Sequence, residues 1–349
     1  MKKDLLQMLK SNCGQLIKNK IKYMKLILVG CGPMAIEYAK VLKSQNQEFI
    51  TVGNTKKGAL NFEKEINEEV ILGGIELWLK NNSNLDFNLQ KAIITVNENL
   101  LGTISKSLIN SGFKDILIEK PGGLDTNDIK EVNSLALTNN TNVYIAYNRR
   151  FFSSVLKVKE LIANDDGIKS FNFEFTEWGH IIKNLPQHKE ILNEWFIQNS
   201  SHVIDLAFHI GGSPIEMKSF VSGGEEWHPK GTIFSGAGIS DKNALFSYNA
   251  NWESAGRWWV EFLTNKNRYI MKPMEQLFVQ KRGSISLEKI ELEDELDQNF
   301  KPGLYKQVEA FLKFPEKLMR IEEQVKKLPY YEQMISSIKK INNFNDFQK

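Results

Sequence analysis

From Lys25 onward, short runs of β-branched and aliphatic residues alternate with stretches whose apolar positions recur every three or four residues. The runs KLILVG, EFITVG, KAIITV, KDILIE and NVYIAY predict strands, and residues 33–44, 58–66, 99–111 and 125–138 predict helices between them. Regular alternation of this kind predicts a doubly wound parallel sheet covered by helices. After Phe151 the period changes. KSFNFEFTEW, EMKSFVSG, TIFSGAG, ALFSYNANW, WWVEFLTN, RYIMKP and EQLFVQK read as strands of a large, open, mostly antiparallel sheet, and helical patterns follow at 305–314 and 330–340. A chain of 349 residues exceeds one ordinary core, so two domains are expected, over residues 24–147 and 148–349. Residues 1–23 open with lysines but lack the apolar run and cleavage site of a secretory signal. They read as an appended arm, either an upstream start before Met24 or a helix used in assembly.

The first strand-to-helix turn reads G-C-G-P-M-A, which sets Gly30, Gly32 and Ala35 on the dinucleotide-binding fingerprint, where Ala is allowed in the third place. Glycines there let the backbone turn sharply and approach a pyrophosphate, which then rests on the helix N-terminus. Pro33 suits a first helical turn, where no amide donor is needed. The second strand ends V52-G53-N54-T55-K56-K57, without the acidic residue that holds the ribose 2′-hydroxyl of NAD. Lys56 and Lys57 follow at once, so the reading leans to NADP, with solvated loop lysines as the alternative. The expected cofactor contacts are Gly30, Gly32, Pro33, Met34, Ala35, Asn54, Thr55, Lys56, Thr95, Asn97, Glu119 and Lys120.

In NSSHVIDLAFHIGG, residues 199–212, His202, Asp205 and His209 fall on one helical arc beside an apolar stripe of Val203, Leu206, Ala207 and Ile210. Such a helix packs its apolar side on a core and turns its polar edge toward a cavity, with Gly211-Gly212 ending it. A solvated face with structural histidines is the plainer alternative.

Charge narrows the function classes. The 45 basic and 42 acidic residues leave a formal net charge of +3, no field for nucleic acid. The apolar runs are strand-sized, far short of the ~20 residues that span a bilayer. Cys13 and Cys31 make neither a disulfide framework nor a zinc cluster, so no metal is expected and a reducing, cytoplasmic setting fits.

I118-E119-K120-P121-G122-G123 and Y147-N148-R149-R150-F151, together with G-C-G-P-M-A and the 199–212 helix, form an ordered set of four motifs running from about Met24 to the C-terminal region. The set resembles the glucose-fructose oxidoreductase and inositol dehydrogenase family (Gfo/Idh/MocA). The resemblance implies an N-terminal Rossmann domain and a C-terminal α/β domain whose open sheet walls the substrate site and joins subunits into a homodimer or homotetramer. It also implies that Lys120 acts in proton transfer beside the nicotinamide and that His202 contacts the reacting hydroxyl. Chemistry gives Lys120 an independent rationale: oxidising a carbinol needs a base within hydrogen-bond reach, and burial with a nearby positive ring lowers a lysine's pKa. Asn148, Arg149, Gln198, Asp205 and Trp178 are the expected substrate contacts. Gln198 departs from the family, many of whose members carry an aspartate there, and an amide cannot take a proton.

The resulting expectation is an NAD(P)-dependent oxidoreductase acting on a sugar, sugar acid or nucleotide-linked sugar, in the manner of relatives from bacterial surface-glycan pathways. The competing expectations are a cofactor-binding sensor or assembly protein without chemistry, and a metal-dependent hydrolase built on His202, Asp205 and His209.

Overall fold

A computed structural model describes residues 26–336. The arm at 1–23 and the last residues of the helix expected over 330–340 lie outside that range. The described chain divides into two units: residues 26–123, 127–146 and 307–322, and residues 124–126, 147–306 and 323–336.

In the first unit, β1 (Leu26–Val29), β2 (Ile50–Gly53), β3 (Val70–Leu72), β4 (Lys91–Ile94), β5 (Asp115–Glu119) and β6 (Asn142–Ala146) pair in parallel. The two-residue β15 (Met319–Arg320) adds antiparallel to β6, giving the order β15-β6-β5-β4-β1-β2-β3. All four residues of β1 are buried, as a central strand covered on both faces requires. The connecting helices are α1 (Pro33–Ser44), α2 (Lys56–Ile66), α3 (Gly74–Asn81), α4 (Leu101–Asn110) and α5 (Thr126–Thr138). The sequence reading omits β3 and α3. A three-residue strand running through two positive-φ glycines, Gly73 and Gly74, into an eight-residue helix is too short for either period to register.

The second unit holds β7 (Ser170–Glu174), β8 (Pro214–Ser222), β9 (Ile233–Ser240), β10 (Leu245–Asn251), β11 (Trp259–Leu263), β12 (Asn267–Met271), β13 (Phe278–Lys281) and β14 (Glu288–Lys289). Their order is β14-β13-β12-β11-β7-β10-β9-β8, antiparallel except where β10 runs parallel to β7. One face is aromatic: Phe171 and Phe173 stack with Phe246 and Tyr248 of the neighbouring strand, and Phe208 meets this layer edge-on. The other face carries a polar line across four strands, in which Ser247 donates to Asn172 (2.6 Å), Asn172 to Glu261 (3.0 Å) and Arg268 Nε to Glu261 (2.8 Å).

Three helices matter for the site: α6 (Ser153–Asn164), α7 (Ser201–Gly211) and α9 (Ile321–Ile335), with α8 (Leu304–Lys313) preceding the last. The sequence reading passes over α6, although Val155, Val158 and Ile162 bury one face of it. It also starts the final helix nine residues late, at Tyr330, whereas α9 begins at Ile321 and runs through Pro329.

Phe171 is fully buried against four other rings, and truncation there leaves a cavity in the aromatic layer. Phe171→Ala is expected to cost about 3–5 kcal/mol in urea-induced unfolding followed by circular dichroism. A loss under ~1 kcal/mol would mean this layer is not the core of the second unit.

Candidate active site

Strand order reverses between β1 and β4, and the carboxyl ends of the strands on either side carry the residues expected to hold a dinucleotide. Gly30 adopts φ +116°, and a Cβ there would meet Thr95 Oγ1 at 2.7 Å, so the turn closes only around a glycine. Thr95 itself is buried and donates to the Val29 carbonyl (3.0 Å). Gly32, by contrast, opens outward: a Cβ there would meet nothing within 4 Å. It is the N-cap of α1, with Pro33 at the first position and no side chain capping the helix. Uncapped amides at a helix N-terminus beside open space fit a pyrophosphate. Met34 and Ala35 continue this turn, and Ala35 is buried beneath it.

At the end of β2, Thr55 caps α2 by accepting from the Gly58 amide (3.2 Å). Asn54, Lys56 and Lys57 are exposed there, as is Asn97 after β4, and no carboxylate ends β2. Glu119, the last residue of β5, accepts a hydrogen bond from the buried Tyr38 hydroxyl (2.8 Å), which also lies 3.1 Å from Gln307 Oε1. Burial and the Glu119 carboxylate together keep that phenol protonated. Lys120 follows Glu119, half-buried, at the start of the Pro-Gly-Gly turn.

In the second unit the polar residues of α7 have separate partners. His202 sits edge-on to Tyr147 (5.9 Å between ring centres) and tilted against Trp258 (6.2 Å). Asp205 is buried, and Arg150 grips it through Nε and Nη2, both at 2.7 Å, while Lys327 of α9 bonds the same carboxylate. Burial opposes ionisation of Asp205, but the two cations outweigh it and hold the carboxyl well below its ordinary range. Asp205 is thus held inside an ion cluster with Arg150 and Lys327. His209 lies 3.2 Å from Lys159, and burial beside Arg150 keeps its ring neutral.

Ahead of α7, residues Phe196–Ser200 form a π-helical turn, a distortion that recurs at functional sites. Gln198 lies in it, buried, and its amide donates to the Leu124 carbonyl (2.5 Å). Asn148 Nδ2 donates to the Pro302 carbonyl (2.9 Å). Arg149 stacks over Trp258, 4.7 Å from its centre. Trp178 is 44% exposed and donates through Nε1 to the Gly256 carbonyl (3.0 Å).

Two residues of this region escape the sequence reading. Lys327 has no local signal. Glu177 does: it shares the inward parity of Phe171, Phe173 and Phe175, where a carboxylate is out of place. It is 1% exposed and accepts from Asn199 (2.9 Å) and Ser200 (3.0 Å), with Arg257 at 3.4 Å. Burial pushes its carboxyl up to about 7 against the pull of Arg257, Ser200 and Asn199. Among the described residues, no three His, Cys, Asp or Glu side chains gather to hold a metal ion.

No family model matches this sequence, and no curated protein matches it. Solved structures do. A dehydrogenase (MviM) from Clostridium difficile aligns with TM-score 0.71 at 18% identity, over 91% of this chain and 100% of that one. The UDP-N-acetylglucosamine 3-dehydrogenase GnnA from Acidithiobacillus ferrooxidans aligns with TM-score 0.68 at 13% identity, over 89% and 96%. The WlbA dehydrogenase from Chromobacterium violaceum, solved with NADH and UDP-GlcNAcA, aligns with TM-score 0.65 at 16% identity, over 90% and 93%. The chain therefore shares the two-domain α/β fold of these solved structures.

Glu177 links the site to pH. Its folded value near 7 lies above the ~4.3 of an unfolded glutamate, so the native state holds the proton more tightly. Its contribution to stability is complete below that unfolded value and is lost as pH rises through 7. Glu177→Gln keeps an acceptor for Asn199 and Ser200 but escapes this loss. In urea unfolding it is expected to gain about 2–3 kcal/mol on the wild type between pH 4.5 and pH 8. An equal difference at both pH values would show that Glu177 does not titrate in this range.

Proposed function

We propose that this protein is an NAD(P)-dependent oxidoreductase acting on the carbinol of a sugar, in particular a sugar acid or nucleotide-linked sugar. The observation that carries the reading is the Gly30–Gly32 turn, closed onto Thr95 on one side and open at an uncapped helix N-terminus on the other, at the strand-order reversal. The shared fold supports it, as do the UDP-sugars named for GnnA and WlbA. A bound nicotinamide supplies the hydride acceptor or donor. The α1 N-terminus and Gly32 hold the pyrophosphate, and Lys56 and Lys57 attract a 2′-phosphate, which favours NADP. Lys120 exchanges the proton of the carbinol hydroxyl, and His202 hydrogen-bonds that oxygen. Gln198, engaged through its amide nitrogen with Leu124, takes no part in proton transfer.

The reading extends to assembly and setting. A homodimer or homotetramer forming through the open sheet face belongs to the same proposal, supported by the polar line there and the exposed Phe220 and Leu245 beside it. No helix among the described residues is long and apolar enough to cross a membrane. A cytoplasmic role in surface-glycan assembly completes the proposal.

Energy transfer from the seven tryptophans to bound NADH or NADPH tests the cofactor site directly. Saturable binding is expected; if neither binds, the proposal fails. With cofactor binding intact, Lys120→Met should lower turnover at least ~100-fold on a sugar that the wild type oxidises. Binding without turnover by the wild type across sugars, uronic acids and nucleotide sugars would favour a non-catalytic sensor instead.

The paired change Lys56→Glu, Lys57→Glu should weaken NADPH about tenfold or more while sparing NADH. Equal effects on the two cofactors would remove these lysines from 2′-phosphate recognition.

A further inference from the structure

Arg257 occupies an unusual position in the second unit. Its guanidinium lies over two indoles at once, 4.9 Å from the centre of Trp178 and 4.6 Å from that of Trp258. Arg149 stacks on the same Trp258 ring at 4.7 Å, so two cations flank one indole. The Arg257 side chain is nevertheless 50% exposed. Its carboxylate neighbour, Glu177, approaches only Nη1, and only at 3.4 Å. Glu177 is already satisfied at its other oxygen by Asn199 and Ser200. Burial disfavours the ionised form of that carboxyl, which makes Glu177 a weak partner for Arg257.

A guanidinium fixed by stacking has lost its rotational freedom before any ligand arrives, and its planar fork matches the two oxygens of a carboxylate or phosphate. Preorganisation of this kind raises affinity by lowering the entropy lost on binding. Beside it, Trp258 is buried and its indole N–H has no acceptor among the described residues, which leaves an unused donor in the cluster. Trp178 offers a half-exposed apolar wall, locked by its bond to Gly256. Trp258 also touches the ring of His202, so the cluster adjoins the residue assigned to the reacting hydroxyl.

We propose that Arg257, held between Trp178 and Trp258, receives an anionic group of the substrate, a carboxylate or a phosphate, and so selects acidic over neutral sugars. The inference rests on the reading of His202 as part of the substrate wall. An ion pair with the buried Glu177 is the competing role for Arg257, and it predicts no discrimination between ligands.

The test is calorimetric titration of the full-length protein with glucose, glucuronate and glucose 6-phosphate, each with and without saturating NADPH. Glucuronate or glucose 6-phosphate should bind about tenfold or more tightly than glucose. Preference for glucuronate identifies a carboxylate subsite, and preference for the phosphate ester a phosphate subsite. Arg257→Gln should abolish the preference, and Arg257→Lys, which keeps the charge but not the fork, should restore only part of it. NADPH affinity should be the same in both variants. If the charged ligands bind no better than glucose, or fail to bind at all, the proposal is overturned. Survival of the preference in Arg257→Gln overturns it as well. If NADPH does not bind while the anion preference persists, the oxidoreductase reading falls and the subsite stands.

Discussion

Asp205 is the point on which the second unit turns. An isolated carboxylate in a protein interior is too costly to survive, so its burial commits two cations to it. Arg150 comes from the turn after β6 and Lys327 from α9, and between them they tie three elements to one side chain. Arg149 is the residue next to Arg150, and His202 lies one turn before Asp205 on the same helix. Fixing the ion cluster therefore fixes the Arg149 stack on Trp258 and the seat of His202 between Tyr147 and Trp258. The Arg149 stack and the His202 ring thus inherit their positions from a buried charge.

The fold and the glycine turn were legible because both are local. A strand, a glycine-rich turn and a helix follow one another within residues 26–44, and inward and outward residues alternate along β7 and β10 without reference to anything distant. The roles within 199–212 were less legible. The helical arc of His202, Asp205 and His209 is real, yet the arc alone cannot reveal that Arg150 and Lys327, 55 and 122 residues away, claim Asp205. Nor can a motif match show what Gln198 does with its amide. Glu177 is the instructive omission, since its inward parity beside three phenylalanines was readable and marks a carboxyl built into an apolar layer.

The two units also differ in how they tolerate change. The turn at Gly30 is constrained by backbone geometry, with Thr95 filling the space a side chain would need. The second unit's site depends on electrostatics and stacking, where arginine, tryptophan and carboxylate positions are coupled through shared rings and shared oxygens. A substitution in the first kind of site is resisted at one position, and in the second it is transmitted to several.

The π-helical turn at Phe196–Ser200 gives the site an adjustable register. A π-turn holds one residue more than the α-helical ladder needs, so a single-residue deletion there lets the helix run on unbroken into Ser201–Gly211. Each residue corresponds to about 100° of rotation, and everything before the deletion would swing by that angle around the axis while His202 stayed in place. Gln198 would leave its position, and a neighbour would be carried into it. A change of chain length by one residue, rather than a substitution, is thus the smallest step by which this scaffold can present a different side chain one turn ahead of its histidine.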